Sequence, residues 1–298
     1  MPTPEPLVEQ FEAHRAHLRA VAYRMLGSAS EAEDAVQESW IRLGRTDASA
    51  IENLRAWLTT VVGRVCLDML RTRTARREAS FDDQAGDAVH VPDPVITRAD
   101  DPESNAMLAD SVGLALLVVL ETLEPVERLA FVLHDVFGMT FDEIAPIVDR
   151  SPVAARQLAS RARRRVQGRA LQPDRDVRQQ RRVVDAFLAA AHEGDFERLM
   201  TVLDPDIVLR ADAGALAGVS RLVRGAQAVA GQAETFSKLG LSNEIVLVNG
   251  NIGVLTRRAD GRLFSVIGFT IARGRIVEMD ILADPERLGR LDLSAIES

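Results

Sequence analysis

The chain of 298 residues has a single cysteine, Cys66, which excludes a disulfide framework and a cysteine-based zinc site. Its five histidines, His14, His17, His90, His134 and His192, are scattered. His14 and His17 share a helical face whose only nearby acid is Glu12, which fits a helix surface better than a ligand set. No metal and no cofactor are expected. The longest apolar run, Leu114–Leu120, is far too short to cross a bilayer, and the N-terminus lacks a basic-then-apolar leader pattern. A cytoplasmic protein without membrane contact is expected. Lys238 is the only lysine, so nearly all positive charge is arginine, which suits bidentate contacts to phosphate and guanine.

The net charge of −8 argues against a chain that coats nucleic acid indiscriminately. The basic residues are instead segregated into Arg71–Arg77 and Arg150–Arg182, a pattern that suits specific or partner-dependent DNA binding. The second cluster has the clearest local grammar. Thr140-Phe141-Asp142-Glu143 is a capping box, followed by Ile144, Ala145, Ile147 and Val148 and the polar turn Asp149-Arg150-Ser151. Ser151 and Pro152 then open a second helix. That helix sets Ala155, Leu158, Ala162 and Val166 on one stripe and turns Arg156, Arg163 and Arg164 away. This is the outline of a helix-turn-helix. A helical hairpin with a solvated face has the same outline, but Arg150–Arg169 holds seven arginines and no acid, and solvated faces mix signs. Pro146 is a misfit inside the first helix, where it removes a backbone donor.

Residues 7–77 read as helix throughout. Phe11, Leu18, Val21, Ala22, Met25 and Leu26 form a stripe that stops at Gly27. Ser30-Glu31-Ala32-Glu33 reads as another capping box, opening a helix with Ala32, Val36, Trp40 and Leu43 inward and Asp34, Gln37 and Glu38 outward. Leu54, Trp57, Leu58, Val61, Val62 and Val65 repeat at helical spacing, and their helix runs into Arg71, Arg73, Arg76 and Arg77. Residues 78–104, rich in Asp, Ala, Gly and Pro, read as a linker. A second helical block spans 105–169, and residues 170–178 read as another linker.

The order of these parts resembles the small extracytoplasmic-function (ECF) sigma factors of the sigma-70 family. Asp34-Ala35-Val36-Gln37-Glu38 is similar to the region 2.2 signature. Trp57-Leu58, Arg64, Leu67-Asp68 and Leu70-Arg71 resemble the helix that recognises and melts the −10 promoter element. Glu124-Pro125, Glu127-Arg128, Glu143-Ile144-Ala145 and Arg161-Ala162-Arg163 resemble region 4, which reads the −35 element. The resemblance implies that Asp34, Gln37 and Glu38 face the β′ clamp helices of core RNA polymerase, and that region 4 meets the β flap. It implies that Arg64, Arg71, Arg73 and Arg76 lie against −10 DNA, double-stranded and melted. Arg156 and Gln157 are then the base-edge readers, with Arg161, Arg163 and Arg164 on phosphates.

Beyond residue 178 the pattern changes. Val183, Val184, Phe187, Leu188 and Ala191 make an amphipathic helix, and Phe196, Leu199, Met200 and Leu203 a shorter one. Residues 207–211, 244–248, 253–257, 263–272 and 275–282 then alternate as strands, with turns at Asn249-Gly250-Asn251, Asp260-Gly261 and Arg273-Gly274. Gly268, inside an apolar strand, suggests a bulge or bend. Helices in front of a mostly antiparallel sheet make an α+β domain over 179–298.

This region resembles the SnoaL-like branch of the NTF2-like superfamily, and the whole chain the SigJ-like group of ECF sigma factors. That group carries an Asn-Pro-Asp-Lys-Leu motif, matched by Asp284-Pro285-Glu286-Arg287-Leu288; a Trp-Leu-Pro linker motif, matched by His90-Val91-Pro92; and a glycine-rich motif echoed by Asp212-Ala213-Gly214-Ala215-Leu216. The expected molecule therefore has two all-α sigma domains (region 2 over 1–77, region 4 over 105–169) and a SnoaL-like cone. The cone acts in cis through contact with the sigma domains, with Asp284–Leu288 as the regulatory segment and no catalysis. The alternatives are a SnoaL-like cyclase or isomerase, or a ligand-sensing domain, fused to a helix-turn-helix regulator. An enzyme of that kind needs a carboxylate or histidine pair projecting into the cone; the available acids are Asp206, Asp212, Glu244 and Asp280.

Overall fold

The computed structural model describes residues 5–47, 50–79, 89–99, 113–167, 173–214 and 220–297. Its compact units are two: residues 1–84 with 119–169, and residues 85–118 with 170–298.

The first unit is helical. Helices α1 (Glu5–Leu26), α2 (Ala29–Leu43) and α3 (Leu54–Ala79) bury Leu18, Val21, Met25, Val36, Leu43, Leu58, Val62 and Val65. Each such side chain contributes about 1.5–3 kcal/mol. Trp40 is half-buried and packs on Phe11 with ring centroids 4.8 Å apart. Gly27, at φ 71°, ends α1. The cap of α2 is not the expected Ser30 box. Ser28 adopts the extended N-cap conformation and accepts the Glu31 amide, while Glu31 and Glu33 ion-pair with Arg73 and Arg15. Those distant arginines take the carboxylates a local box would have used.

Helix α4 (Leu114–Glu121) is followed by α5 (Pro125–Phe131), which continues as a π-helical turn, Val132–Val136. The expected helical stretch 105–112 lies outside the described residues. Helices α6 (Phe141–Val148) and α7 (Pro152–Gln167) complete the helix-turn-helix. The Thr140 capping box forms as read, with the Thr140 amide 2.8 Å from Glu143 Oε2. Asp149 closes α6 in the left-handed conformation (φ 55°, ψ 51°). Pro146 is tolerated because α6 spans only eight residues, so little ladder is lost. The stripe of α7 is Ala155, Ala159, Ala162 and Val166; Leu158, expected there, is half-buried.

Within this unit α3 packs on α5 and α6. Gly63 makes that approach possible, since a Cβ there would stand 3.3 Å from Leu129 and 3.4 Å from Ile147. Buried Arg128 donates to the Met25 carbonyl at 2.6 Å. Burial lowers its pKa to about 10, still high enough to stay charged at neutral pH.

The second unit is a seven-stranded sheet ordered β1-β4-β5-β6-β7-β2-β3. The strands are β1 (Ile96–Arg98), β2 (Leu203–Asp212), β3 (Arg221–Arg224), β4 (Ser242–Val248), β5 (Asn251–Arg257), β6 (Leu263–Ala272) and β7 (Arg275–Leu282). All neighbours are antiparallel except β2 with β7. Helices α8 (Val177–Glu193), α9 (Phe196–Val202) and α10 (Ala226–Ser237) share one core with the sheet, built around Val184, Phe187, Leu199, Leu209, Val229 and Phe269.

The described part of the expected first linker, residues 89–99, belongs to this unit and supplies its strand β1. Ile96 pairs with Val248, and the Val95 amide donates to Asn249 Oδ1 at 3.0 Å. In the second expected linker, the Asp174 carboxylate accepts the Arg273 and Gly274 amides at 3.0 and 2.8 Å. Asp176 then caps α8, seven residues before the stripe read from sequence. Two short C-terminal helices follow, α11 (Pro285–Leu288) and α12 (Ser294–Glu297).

Gly268 marks no bulge. It pairs in continuous register with Gly253 and Asp280, and its missing Cβ makes room for Leu114. Gly253 is under tighter constraint: a Cβ would lie 2.3 Å from Val248 Cγ2 and 2.7 Å from the Ile267 carbonyl oxygen. The carbonyl is fixed by the sheet, so Gly253→Ala should cost about 1–3 kcal/mol. A urea midpoint equal to that of the parent chain would show that the strands adjust without cost.

Candidate nucleic-acid interface and linker clamp

The recognition helix α7 sorts its side chains by direction. At about 100° per residue, the buried alanines and Val166 occupy one side, and Val153, Gln157, Ser160 and Arg164 the opposite one. All four of the latter are exposed, and Val153 is 68% exposed. The flanks are pinned. Arg161 and Arg165 both bind the buried Glu127 carboxylate, at 2.8 and 3.0 Å. On the other flank Arg163 Nε donates to Asp135 at 2.7 Å, and Arg156 lies over the Phe141 ring, 5.3 Å from its centroid. Phe141 in turn stacks on His134. Asp135 was not singled out from sequence, and Glu127 only as part of the region 4 resemblance, without its arginine partners. Their signal was present as two acids upstream of a run of arginines, but nothing local tied one to the other.

The remaining expected residues fall in three settings. Asp34 and Gln37 are exposed on one face of α2, with Glu38 beside them and bonded to Arg42 at 2.8 Å. Arg71 is exposed, 3.5 Å from Asp68. Arg73 instead reaches back to Glu31 and the Leu26 carbonyl, so part of its charge serves the packing of α3 on α2. Arg64 donates to the Pro146 carbonyl at 2.7 Å, joining α3 to the helix-turn-helix. The Arg76 side chain lies outside the described residues.

In the second unit, the three runs noted in the sequence converge. Asp284 caps α11 by accepting the amides of Glu286 and Arg287, and Pro285 supplies the first helical residue. Leu288 is buried, while Glu286 pairs outward with Arg290. Arg287 turns its guanidinium onto residues 90–93. Its Nε donates to Asp93 Oδ1 at 2.8 Å, its Nη2 to the Val91 carbonyl, and its Nη1 to Asp212 Oδ2 at 2.7 Å. His90 Nδ1 lies 3.3 Å from both Arg287 Nη1 and Asp212 Oδ2. The Val91 amide donates to Asp212 Oδ2 at 3.0 Å. Gly214, at φ 64°, fits against Asp284, whose Oδ2 would stand 2.2 Å from a Cβ there. Ala215 and Leu216 lie outside the described residues.

The sheet and helices also enclose a cavity of about 180 Å³. Its floor is Phe187, Leu209, Val229 and Met279, and Phe236, Asn243 and Phe264 also line it. Among the described residues its lining holds no carboxylate, but it includes His192 and Arg221. Asp206 and Glu244 are exposed, and Asp212 belongs to the Arg287 cluster. Asp280 is buried on the opposite sheet face, 3.0 Å from Arg210. Burial raises its pKa to about 6, against the opposing charge of Arg210. Among the described residues no group of His, Cys, Asp or Glu is arranged to hold a metal ion, and no helix is long and apolar enough to cross a membrane.

Two family models match the chain: Sigma-70 region 2 over residues 10–76, and Sigma-70 region 4 over residues 113–166. The ECF RNA polymerase sigma factor SigJ of Mycobacterium tuberculosis is 37% identical over 297 residues, covering 94% of this chain and 92% of its own. A probable ECF sigma factor of the same species, SigI, is 39% identical over 209 residues, 70% of this chain and 71% of its own. The crystal structure of the mycobacterial SigJ superposes with a TM-score of 0.74 at 33% identity, covering 96% of this chain and 99% of that one.

Asp212 gives the clamp a pH signature. Burial pushes its carboxyl up, but hydrogen bonds from His90, Val91 and Gly214 and the charge of Arg287 outweigh burial and hold it at about 2, below the ordinary 3.8. Folding therefore favours the ionised form. After allowance for solvent screening, that contributes about 1–2 kcal/mol, complete above about pH 4 and lost as pH falls towards 2. In Asp212→Asn, unfolding free energy measured across pH 2–5 should lack this acid-side slope; an unchanged slope would remove Asp212 from the account.

Proposed function

The chain belongs to the ECF RNA polymerase sigma factors, and we infer that its exposed residues divide the work of promoter recognition among three surfaces. Asp34, Gln37 and Glu38, on one face of α2, meet the β′ clamp helices of the core enzyme. Arg64, Arg71, Arg73 and Arg76 of α3 face the −10 element as it melts. On α7, Gln157 and Arg156 read base edges of the −35 element in the major groove. Arg161, Arg163 and Arg164 hold phosphates, and region 4 as a whole docks on the β flap. The observation that carries this reading is the direction of Gln157: it lies opposite the buried stripe of α7, near the helix N-terminus, where recognition helices present their base-reading residues.

The contact of Arg64 with Pro146 adds a condition. Promoter positions −10 and −35 lie about 25 base pairs apart, about 85 Å at 3.4 Å per step. Arg64, proposed for the first, is held in this structure by a hydrogen bond of 2.7 Å to Pro146, in the helix-turn-helix that carries the residues proposed for the second. Promoter engagement therefore needs a second, opened arrangement, which polymerase selects by binding it better.

The C-terminal domain acts in cis as a regulator, through Asp284–Leu288 and the grip of Arg287 on residues 90–93, which lie between regions 2 and 4 in the chain. Among the described residues the cavity lining holds no carboxylate and, as a candidate base, only the exposed His192; this supports regulation over isomerase or cyclase chemistry, because proton transfer in such a cone needs a base tuned by burial. The site of action is the cytoplasm, where polymerase and promoter meet.

Transcription by core polymerase supplied with this chain tests the scheme. Gln157→Ala should relax preference at one −35 position, costing about 1–3 kcal/mol there. Arg164→Ala should weaken promoter binding evenly and reduce the salt slope by about one. Arg287→Ala should alter initiation without altering sequence preference. Initiation from no promoter in a genomic pool would defeat the assignment of surfaces, and unchanged initiation by Arg287→Ala would defeat regulation in cis.

A further inference from the structure

We propose that the cavity beneath α8 and α10 receives a small aromatic molecule, and that filling it loosens the hold of Arg287 on residues 90–93. The second half of this proposal rests on the regulatory reading of the clamp; the first half does not.

Size and chemistry point to the ligand. The cavity measures about 180 Å³, and an apolar cavity of about 150 Å³ takes up benzene. One ring, or two fused rings, is the size that fits. Three phenylalanines, Phe187, Phe236 and Phe264, line it, and offset or edge-on ring contacts favour aromatic guests. The buried Thr256 and Ser265 hydroxyls bond each other at 2.6 Å, so that part of the wall asks nothing of a ligand. Asn243, Ser237, Gln232, His192 and Arg221, exposed or half-buried, line its more polar side and offer contacts to a hydroxyl or N–H substituent. The lack of lining carboxylates leaves no partner for a cationic guest.

Connection to the clamp follows from two alanines. Ala213 and Ala283 both line the cavity. Ala213 lies between Asp212 and Gly214, and Ala283 immediately precedes Asp284. The Ala283 amide donates to the Asp212 carbonyl at 2.7 Å, tying the two segments together. Both carry the groups that orient Arg287: the Asp212 carboxylate directly, and the Asp284 carboxylate by capping α11. There is little slack between them, since Gly214 already has no room for a Cβ against Asp284. A ring pressing on either alanine therefore moves the backbone one residue from a clamp carboxylate.

The test uses the full chain with indole and 2-naphthol as probes. Indole or 2-naphthol should bind and raise the melting temperature. At saturation, hydrogen exchange at the Val91 amide, which is bonded to Asp212, should accelerate by about 5-fold or more, the usual floor of allosteric coupling. By linkage, the probe that binds should bind Arg287→Ala more tightly by the same factor. Ala233→Trp should fill the cavity and abolish binding; Ser237→Trp serves the same end should Ala233→Trp fail to melt cooperatively. Failure of both probes to bind the parent chain, or undiminished binding to a folded tryptophan variant, would overturn the cavity assignment. Binding with Val91 exchange unchanged or slowed would overturn the coupling. Neither result touches the transcription test of Arg287→Ala, so the two readings fail separately.

Discussion

The guanidinium of Arg287 joins parts of the chain that are nearly 200 residues apart. A lysine could not take its place without loss. The planar fork presents its N–H donors in fixed directions, and here they meet a carboxylate on one side, a backbone carbonyl in the middle and a second carboxylate on the other. The Asp212 carboxylate is shared by Arg287, the Val91 amide and the Gly214 amide, so its ionisation, the position of residues 90–93 and the turn at Gly214 stand or fall together. Within the domain, the short α11 and residues 90–93 are held together by this contact.

Charge on the recognition helix follows a different economy. Arginines there are numerous, yet Glu127 and Asp135 hold three of them by the flanks. Exposed ion pairs of this kind contribute little to stability, about 0–1 kcal/mol each. Glu127 differs because it is buried and engages two partners, so its loss would leave α7 poorly oriented on α5. Pinning the flanks leaves the outward row, Val153, Gln157, Ser160 and Arg164, exposed and without those ties. Specific recognition needs this separation, because phosphate attraction alone is blind to sequence.

Much of this architecture was legible from residues alone, where the informative contacts are local. Strands β6 and β7 were bounded to the residue, the Thr140 box formed as read, and Ser151-Pro152 opened α7. Features decided by distant partners were not legible. Strand β1 lies in a proline-rich stretch and pairs with β4, far along the chain. Strand β3 has arginine at both ends, as edge strands often do, which hides its alternation. Helix α10 starts at Gly225 without a side-chain cap and contains Gly231, so neither of its ends carries the usual sign. The Ser30 box failed because Arg73 and Arg15 took its carboxylates. The site residues divided in the same way: exposure of Asp34, Gln37, Arg156 and Gln157 followed from helical periodicity, whereas the engagement of Arg64, Arg73, Arg161 and Arg163 by protein groups did not.

Strand β1 also carries a consequence for the chain's birth. Its residues precede the helix-turn-helix, but their partners on β4 follow it, with Arg98 set opposite Val246. A ribosome adding about 5–20 residues per second needs roughly 7 to 30 s to cover that interval, and Arg287 emerges later still. For about the latter half of that time, once α7 has been added, both helical sigma regions have been synthesised while residues 89–99 have no sheet to join. Pairings so remote in sequence also form slowly once available. Each newly made molecule thus passes through a juvenile phase in which regions 2 and 4 are complete before strand β1 has a partner. Translation speed over the codons between region 4 and β4 would set how long it lasts.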